Sequence, residues 1–379
     1  MNPLLILGAS TRAAAFSAIR AGFDPICGDM FADADLRAFA TVLDLPHYPH
    51  KLAEAVGHLP PLPWIYTGAL ENSPFEVDRI SQRMMLWGNS SESLKRCRNP
   101  WFCRDRLWQA QLPALGVCAT PPTGPQDRQW LMKPFRSAAG RAIVAWDDDA
   151  KVLAEPHYFQ EFAAGTSISA AFLGTSESAL LLGISQQLIG RSELNAPPFG
   201  YCGSIFPWPG CDPKIDALVR QIGSVMSREC GLRGLFGIDL IFDGQTAWLT
   251  EVNPRYTASM ELLEHWWQVP LLDWHRRACV EDGFEVRLPD IPRTSQGQYC
   301  CKVVKYADHA ARALDLTSEI PTSIDLVTLP RLADIPVAGT EIFPGHPVFT
   351  CLGAGAQPSI LLAELVRRVD EIWLEFPSP

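Results

Sequence analysis

The most informative part of this sequence is GIDLIF at residues 237–242, followed by LTEVNPR at residues 249–255. Both stretches alternate apolar and polar residues, which is typical of half-buried β-strands. An Asp-Gly pair between them is a turn signal. The two stretches therefore predict a β-hairpin, with its loop over residues 244–246.

Three polar side chains lie on one face of this predicted hairpin. The loop places Asp239 opposite Glu251, and Asn253 shares the face of Glu251 because side chains alternate along a strand. Two carboxylates and an amide oxygen are hard ligands suited to Mg²⁺ that bridges nucleotide phosphates. Arg255 adds a planar cation where phosphoryl charge would develop. The alternative is a solvated acidic face, but packing alone hardly explains three polar residues on an apolar strand that ends at Asn-Pro-Arg.

The composition is that of an ordinary globular protein, with 379 residues, 47% hydrophobic and 20% charged. This length suggests two or three domains. A net charge of −10 argues against a broad nucleic-acid-binding surface. The N-terminus lacks a signal-peptide pattern, and no stretch approaches the roughly 20 apolar residues of a membrane span. We therefore expect a cytoplasmic protein that acts on small molecules, without nucleic-acid or membrane partners.

The cysteines and histidines do not predict a metal centre. Eleven cysteines are scattered without a Cys-x-x-Cys pair, which favours reduced and mostly buried thiols. His47 and His50 form the only close histidine pair in the sequence. They lack a nearby cysteine or carboxylate cluster, so a zinc site is not favoured there.

The N-terminal residues have the pattern of a parallel α/β domain. Residues 4–7 predict a strand, residues 13–21 a helix, and residues 25–29 a second strand that ends at Asp29. The intervening turn has one glycine where a dinucleotide fingerprint has three, so an NAD-dependent oxidoreductase is the weaker alternative. Arg12 follows the first strand at the mouth of the sheet and is a candidate substrate contact.

A second set of residues suits phosphate and adenine binding. Residues 130–135 predict a strand that leads into a small-residue loop containing Ser137 and Gly140. Lys133 could neutralise α- and β-phosphates while the loop amides close over them, although a surface lysine has the same pattern. A later strand could read an adenine edge through its backbone, or be an ordinary strand; its residues are Gln160, Glu161 and Phe162.

In sequence order, these motifs resemble the ATP-grasp superfamily, over roughly residues 1–350. The Glu-x-Asn-Pro-Arg motif is the most specific of them. Residues 8–12 (GASTR) and 253–261 (NPRYTASME) resemble a group of predicted ATP-dependent carboligases, and the tyramine–glutamate ligases resemble the chain more distantly. Residues 333–350 resemble the C-terminal part of biotin-carboxylase-like members.

The resemblance implies an α/β fold, in which an ATP-grasp fold follows a Rossmann-like parallel α/β domain and precedes a small β-rich segment. We expect the N-terminal domain at residues 1–95 and the ATP-grasp domain at residues 96–290. Its lid subdomain is expected at about residues 120–162. A C-terminal α+β segment is expected at residues 291–379.

The resemblance also implies an ADP-forming carboxylate–amine ligase of small-molecule or cofactor biosynthesis, which uses ATP, two Mg²⁺ ions and an acyl phosphate. Lys133 would hold the α- and β-phosphates, and Arg255 would stabilise the transferring phosphoryl group. Ser204 and Ser259 are candidates for the acceptor site. The substrates, the pathway and a homo-oligomeric state are left open. The implied metal ligands are Asp239, Glu251 and Asn253.

Two positions depart from the family pattern. Where members usually carry a lysine before the lid, this chain has three arginines, which can still bind phosphate. Ser167 stands where many members place a ribose-binding glutamate. These departures leave open a non-catalytic or regulatory ATP-binding protein, although clustering hard ligands without a cation is costly. The three arginines are Arg98, Arg104 and Arg106.

Overall fold

The computed structural model describes residues 2–43, 45, 47–122, 129–147 and 153–377. Within these residues the strands form sheets of five, eight, four and two strands. The α/β class expected from the sequence is confirmed. None of the helices in the described part of the chain is long and apolar enough to cross a membrane.

The N-terminal sheet is parallel and has the strand order β3-β2-β1-β4-β5. Residues 4–7 of the central strand are fully buried, because a parallel sheet is covered on both faces. The strands are β1 (Asn2–Gly8), β2 (Phe23–Asp29), β3 (Thr41–Leu43), β4 (Pro63–Tyr66) and β5 (Met85–Leu86). The helices of this part are α1 (Arg12–Arg20), α2 (Ala34–Phe39), α3 (Leu52–Ala55) and α4 (Pro74–Ser81).

Two helices, α5 (Ser91–Cys97) and α6 (Pro100–Gln109), lead into a four-stranded antiparallel sheet. Its strand order is β6-β9-β7-β8. This sheet spans the region expected to form the lid. Its strands are β6 (Val117–Cys118), β7 (Trp130–Pro134), β8 (Val144–Trp146) and β9 (His157–Glu161).

An eight-stranded antiparallel sheet forms the centre of the molecule, in the order β14-β13-β10-β11-β12-β15-β19-β17. The predicted hairpin is its first pair of strands. The sheet consists of β10 (Thr166–Gly174), β11 (Ala179–Ile189), β12 (Tyr201–Phe206), β13 (Gly234–Phe242), β14 (Ala247–Asn253), β15 (Tyr299–Tyr306), β17 (Leu332–Ala333) and β19 (Pro347–Gly355).

Helix α7 (Pro213–Cys230) packs on this sheet. Asp212 caps its first turn by accepting hydrogen bonds from the amides of Lys214 and Ile215, at 2.8 and 2.9 Å. A Cβ at Gly223 would lie 2.2 Å from the Phe172 ring, so the helix can approach the sheet this closely only with glycine there.

The C-terminal part completes the same central sheet. β15 pairs with β12, and β19 pairs with β15. The segment predicted to start at residue 291 therefore contributes strands to the sheet that carries the hairpin. Helix α10 (Pro358–Trp373) packs against β15 and β19. The remaining elements are α8 (Met260–Trp267), α9 (Leu271–Val280) and the two-stranded pair β16 (Ala311–Arg312) and β18 (Glu341–Ile342).

Candidate functional site

The hairpin has the predicted register. β13 and β14 are antiparallel, and Asp239 lies directly opposite Glu251, with a bulge between Asp239 and Leu240. Asn253 Nδ2 donates a hydrogen bond of 2.9 Å to Asp239 Oδ2. The three candidate metal ligands are therefore brought together on one face.

Asp239 has the electrostatic environment of a cation site. Burial, together with the nearby charge of Glu251, raises the pKa of Asp239 to about 6. Gln187 Nε2 donates to its other oxygen at 3.0 Å. A buried carboxylate beside a second carboxylate is costly unless a cation lies close to both, so the donor set fits Mg²⁺. The Asn253 oxygen accepts from Arg255 Nη2 at 3.0 Å, and coordination through that oxygen would have to replace this contact.

The arginines that stand in place of the family lysine have three different positions. Arg98 forms an ion pair with Glu251 and donates 2.9 Å to the carbonyl of Phe135. Arg104 lines the cavity that the hairpin also borders, but its guanidinium donates to the carbonyl of Val117 at 3.0 Å. Arg106 donates to its helical neighbour Gln109 and is not among the cavity-lining residues. Arg98 is therefore the arginine placed to act at the hairpin.

Lys133 connects the lid to the hairpin. Its Nζ donates 2.9 Å to Gln160 Oε1 and 3.3 Å to the carbonyl of Thr250. These contacts come from β9 and from β14. The ammonium therefore lies between the lid and β14, the strand that carries the candidate ligands Glu251 and Asn253.

The small-residue loop after β7 is fixed on two sides. The carbonyl of Ser137 accepts hydrogen bonds from Asn72 Nδ2 at 3.0 Å and from Arg98 Nη2 at 3.3 Å. Gly140 has a φ of +76°, and a Cβ there would lie 1.8 Å from the carbonyl oxygen of Phe199. Only glycine fits this close approach.

Part of the backbone of the predicted adenine-binding strand is hydrogen-bonded to other residues of the protein. The amide of Glu161 donates to the carbonyl of Gly116 at 2.9 Å, and the amide of Phe162 donates to the carbonyl of Gln129 at 2.8 Å. These two backbone amides are therefore already used within the protein. Gln160 is engaged with Lys133 through its side chain.

Arg255 is held by a residue of the N-terminal domain. Its Nε and Nη2 donate to Glu71 Oε1 at 3.0 and 2.8 Å. Burial opposes the guanidinium charge, but the Glu71 carboxylate raises the pKa of Arg255. Glu71 and Asn72 belong to a short 3₁₀ turn, Leu70–Asn72. No motif marks this turn in the sequence, so sequence reasoning missed both residues.

The candidate substrate residues line the cavity but differ in how they are engaged. Arg12 is 1% exposed, and its guanidinium pairs with Glu261 and Asp334. Its charge is therefore committed within the protein. The hydroxyl of Ser204 lies 2.9 Å from that of Tyr201, and the hydroxyl of Ser259 lies 3.3 Å from that of Thr257.

Asp29 ends β2, where dinucleotide-binding domains place an acid that contacts the ribose, but here its carboxylate is already engaged. Its carboxylate accepts the hydroxyl of Thr11 at 2.8 Å and the amides of Phe31 and Ala32, both at 2.8 Å. These bonds organise the loop after β2. This arrangement leaves Asp29 with a structural role and weakens the oxidoreductase alternative.

A cavity of about 850 Å³ unites these groups. This volume suits a nucleotide with a second small molecule. Its walls come from the N-terminal domain, the lid and the central sheet. Among the residues that line it are Arg12, Arg98, Lys133, Ser137, Gly140, Gln160, Glu161, Phe162, Ser167, Ser204, Asp239, Glu251, Asn253, Arg255 and Ser259.

Comparisons with known proteins agree with this architecture. Residues 97–259 match the model of the ATP-grasp domain family. No functionally curated protein matches the sequence. The L-amino acid ligase of Bacillus licheniformis has a similar structure, with a TM-score of 0.72, 15% identity, and coverage of 98% of this chain and 97% of that one.

Two further solved structures have the same fold. The biotin carboxylase domain of Hydrogenobacter thermophilus 2-oxoglutarate carboxylase, in complex with MgADP, ADP and bicarbonate, has a TM-score of 0.69 at 13% identity, covering 98% of this chain and 90% of that one. The N5-carboxyaminoimidazole ribonucleotide synthetase of Thermotoga maritima has a TM-score of 0.67 at 12% identity, covering 98% of each chain. At these identities the likeness establishes the fold. Residues 97–259 therefore match an ATP-grasp domain, and nearly the whole chain shares the fold of these solved structures.

Proposed function

We propose that this protein is an ADP-forming ligase that joins a carboxylate to an amine through an acyl phosphate. One observation carries the proposal: Asp239 and Glu251 face each other across the hairpin and share a cavity with Lys133, Arg98 and Arg255. Paired carboxylates with three cations around them are suited to a Mg²⁺-bound triphosphate. The ATP-grasp domain family matched by residues 97–259 supports the same assignment.

The metal would be held by the two carboxylates, with the amide oxygen of Asn253 as a further ligand. When bound, Mg²⁺ supplies charge neutralisation and orientation of the β- and γ-phosphates. The number of ions belongs to this proposal, and the hard oxygen ligands suit two. Asp239 and Glu251 would each have to be ionised to bind them.

Lys133 and the loop after β7 would bind the rest of the triphosphate. Gln160 and Thr250 hold the Lys133 side chain in one orientation. Little side-chain entropy would therefore be lost when its ammonium binds the phosphates. Ser137 and Gly140 belong to a loop of small residues that allows backbone amides to approach phosphate oxygens. Arg98 would add a second cation beside Glu251.

Arg255 would act on the group that is transferred. The γ-phosphorus would form a bond to an oxygen of the substrate carboxylate, while the bond to the β-phosphate oxygen breaks and ADP leaves. The amine, in its neutral form, would then form a bond to the acyl carbon, and phosphate would leave as HPO₄²⁻ with the proton that the amine loses. Arg255 can stabilise the charge in both steps because Glu71 fixes the direction of its planar guanidinium.

The activities of two structural neighbours support this reaction class. One is an L-amino acid ligase, and another is a biotin carboxylase domain that binds MgADP and bicarbonate. Both share the fold of the present chain. The substrates of this chain are a matter for experiment, since identities of 13–15% do not carry specificity.

The decisive experiment is trapping of the acyl phosphate. The protein is incubated with Mg²⁺, ATP, hydroxylamine and a panel of carboxylates, and hydroxamate and ADP are both measured. We expect one carboxylate class to yield equal amounts of the two products. ATP binding without turnover on any carboxylate would favour a regulatory nucleotide binder, and formation of AMP and pyrophosphate would replace the acyl-phosphate route by adenylation.

A further inference from the structure

A second charged site lies in the same cavity, around the loop that follows β2. This loop is built by Asp29, whose carboxylate accepts the amides of Phe31 and Ala32. Ala32 has a φ of +52°, a left-handed conformation that reverses the chain. The next residue, Asp33, stands at the start of helix α2 and lines the cavity.

Asp33 has an unusual environment for a carboxylate. The residue is only 7% exposed, and although it occupies the N-cap position its side chain makes no capping hydrogen bond. Among the residues that the structure describes, its carboxylate has no ion pair and no hydrogen bond. A carboxylate that has no partner within the protein is costly unless water or a ligand contacts it, and its place in the cavity wall leaves it open to both.

The surroundings of Asp33 carry excess negative charge. Asp35 and Glu261 are buried, and Arg12 pairs with both of them. Lys302 Nζ lies 3.3 Å from Glu261 Oε2. Asp33 and the neighbouring Asp334 bring the number of carboxylates in this cluster to four. The cluster contains two cations, Arg12 and Lys302. Burial, with the charges of Asp334 and Asp35, holds the pKa of Asp33 well above its usual range.

Asp334 presents the second carboxylate to the cavity. Its Oδ1 accepts from Arg12 Nε at 2.9 Å, and its Oδ2 accepts from the hydroxyl of Thr350 at 2.6 Å. Its side chain remains 28% exposed. Asp334 is therefore fixed in place by two partners while part of it stays accessible to a ligand.

We infer that Asp33, with Asp334 beside it, binds the amino group of the amine substrate as an ammonium ion. An ammonium carries three donors and one positive charge, which suit Asp33, a carboxylate without a cation of its own, and the accessible part of the Asp334 carboxylate beside it. The inference rests on the proposed ligase function, and it deepens it by naming the class of acceptor: a primary amine that enters the cavity protonated. A neutral hydroxyl compound lacks the charge that this subsite selects.

The subsite can be tested by binding alone, with a defined pair of probes. Calorimetric titration at pH 7.5 compares 1,4-diaminobutane, a dication, with the neutral 1,4-butanediol. The variants are Asp33→Asn and, as a matched control, Asp24→Asn, an exposed aspartate of β2 that is not among the cavity-lining residues. We expect wild type and the control to bind the diamine and not the diol. Asp33→Asn should lose about tenfold or more in affinity, the size of a lost charge-assisted bond.

A stability readout separates this role from a merely structural one. If Asp33 serves a ligand, Asp33→Asn should leave the melting temperature of the ligand-free protein unchanged or raise it, whereas loss of a structural carboxylate would lower it. The inference is overturned if the wild type does not prefer diamine to diol, or if Asp33→Asn binds the diamine like the wild type. Hydroxamate formation by the wild type needs no amine substrate, so its failure would count against the ligase function and not against this subsite.

Discussion

Arg98 and Glu251 form an ion pair across 153 positions of sequence, at the face of the hairpin that carries the candidate metal ligands. The same guanidinium donates to Asn72 Oδ1 at 3.0 Å and to the Phe135 carbonyl at 2.9 Å. Arg98 thus joins the N-terminal domain, the lid and the hairpin. Under the proposed function, this position would let Arg98 take the role of the absent family lysine, as a cation beside the proposed phosphate site.

The first prediction concerns Arg98 as a phosphate-binding residue. Arg98→Gln should weaken Mg–ATP binding by about tenfold or more, since a charge-assisted contact is lost. Arg98→Lys should keep part of the affinity because the charge remains while the forked geometry does not. Calorimetry with a non-hydrolysable ATP analogue measures both. Arg106→Gln is the control, and an equal loss in that variant would point to a general effect of charge.

The second prediction concerns the metal. Glu251→Gln should remain folded but lose roughly 10²–10³ in the rate of ADP formation, the size of one electrostatic contact at a reacting phosphate. The rate is measured as Mg²⁺ is varied, with circular dichroism as the check on folding. ADP formation close to the wild-type rate would refute the metal assignment.

The third prediction concerns Arg255 and the acyl phosphate. Arg255→Ala should lose hydroxamate trapping together with ligation, because the same guanidinium is proposed to serve both steps. Arg255→Lys should recover trapping only in part, since an ammonium cannot reproduce the bidentate fork. The measurement is the amount of hydroxamate and of ADP formed per enzyme molecule in a single turnover. Loss of ligation with full trapping in Arg255→Ala would confine this residue to the second step.

The fourth prediction separates the nucleotide-binding alternatives. ATP with Mg²⁺ should raise the melting temperature by binding linkage, and NAD should not, because the Asp29 carboxylate is already occupied by Thr11 and the loop amides. Thermal unfolding with each nucleotide at equal concentration provides the comparison. Stabilisation by NAD alone would instead favour the oxidoreductase.

The fifth prediction concerns pH and His275, which joins two domains. Its Nδ1 accepts the amide of Leu235 at 2.8 Å, and its Nε2 donates to the carbonyl of Trp87 at 2.9 Å. Burial lowers the pKa of His275 to about 4. Between the unfolded pKa of about 6.5 and this value, the unfolded chain binds a proton that the folded protein does not. The free energy of unfolding should therefore fall as the pH falls through this window.

For His275 alone the loss between pH 7.5 and pH 5 should be about 2 kcal/mol. Urea unfolding at the two pH values measures it. His275→Gln should be less stable than wild type at pH 7.5 but should show a smaller loss on acidification. His58→Gln, at an exposed position, should behave like the wild type, and an unchanged pH dependence in His275→Gln would show that other groups control acid unfolding.

The hairpin could be predicted because its information is local. Strand alternation and a two-residue turn signal fix which residues face each other, and the observed pairing of Asp239 with Glu251 confirms this register. Lys133 could be found in the same way, from a strand followed by a small-residue loop. Their roles in ligand binding remain predictions.

The N-terminal contributions could not be predicted in this way. Glu71 and Asn72 reach the site from a short turn, and Asp33 from a loop, and nothing in their local sequence indicates which distant residue they meet. Arg12 depends on the same long-range packing. Its place at the mouth of the sheet predicts a substrate contact, and its guanidinium pairs with Glu261 and Asp334. In these cases the outcome depends on how the domains pack.

The continuous central sheet limits how the chain can be divided. β15 occupies the side of β12 that faces away from the hairpin, and β19 covers β15 in turn. A fragment that ends after the ATP-grasp domain, at residue 259 or 290, would leave β12 with a row of unpaired amides and carbonyls. Such an open edge recruits strands from other molecules, so the shortened protein should self-associate. The ATP-grasp domain should therefore be monodisperse only when the chain includes residues 291–379.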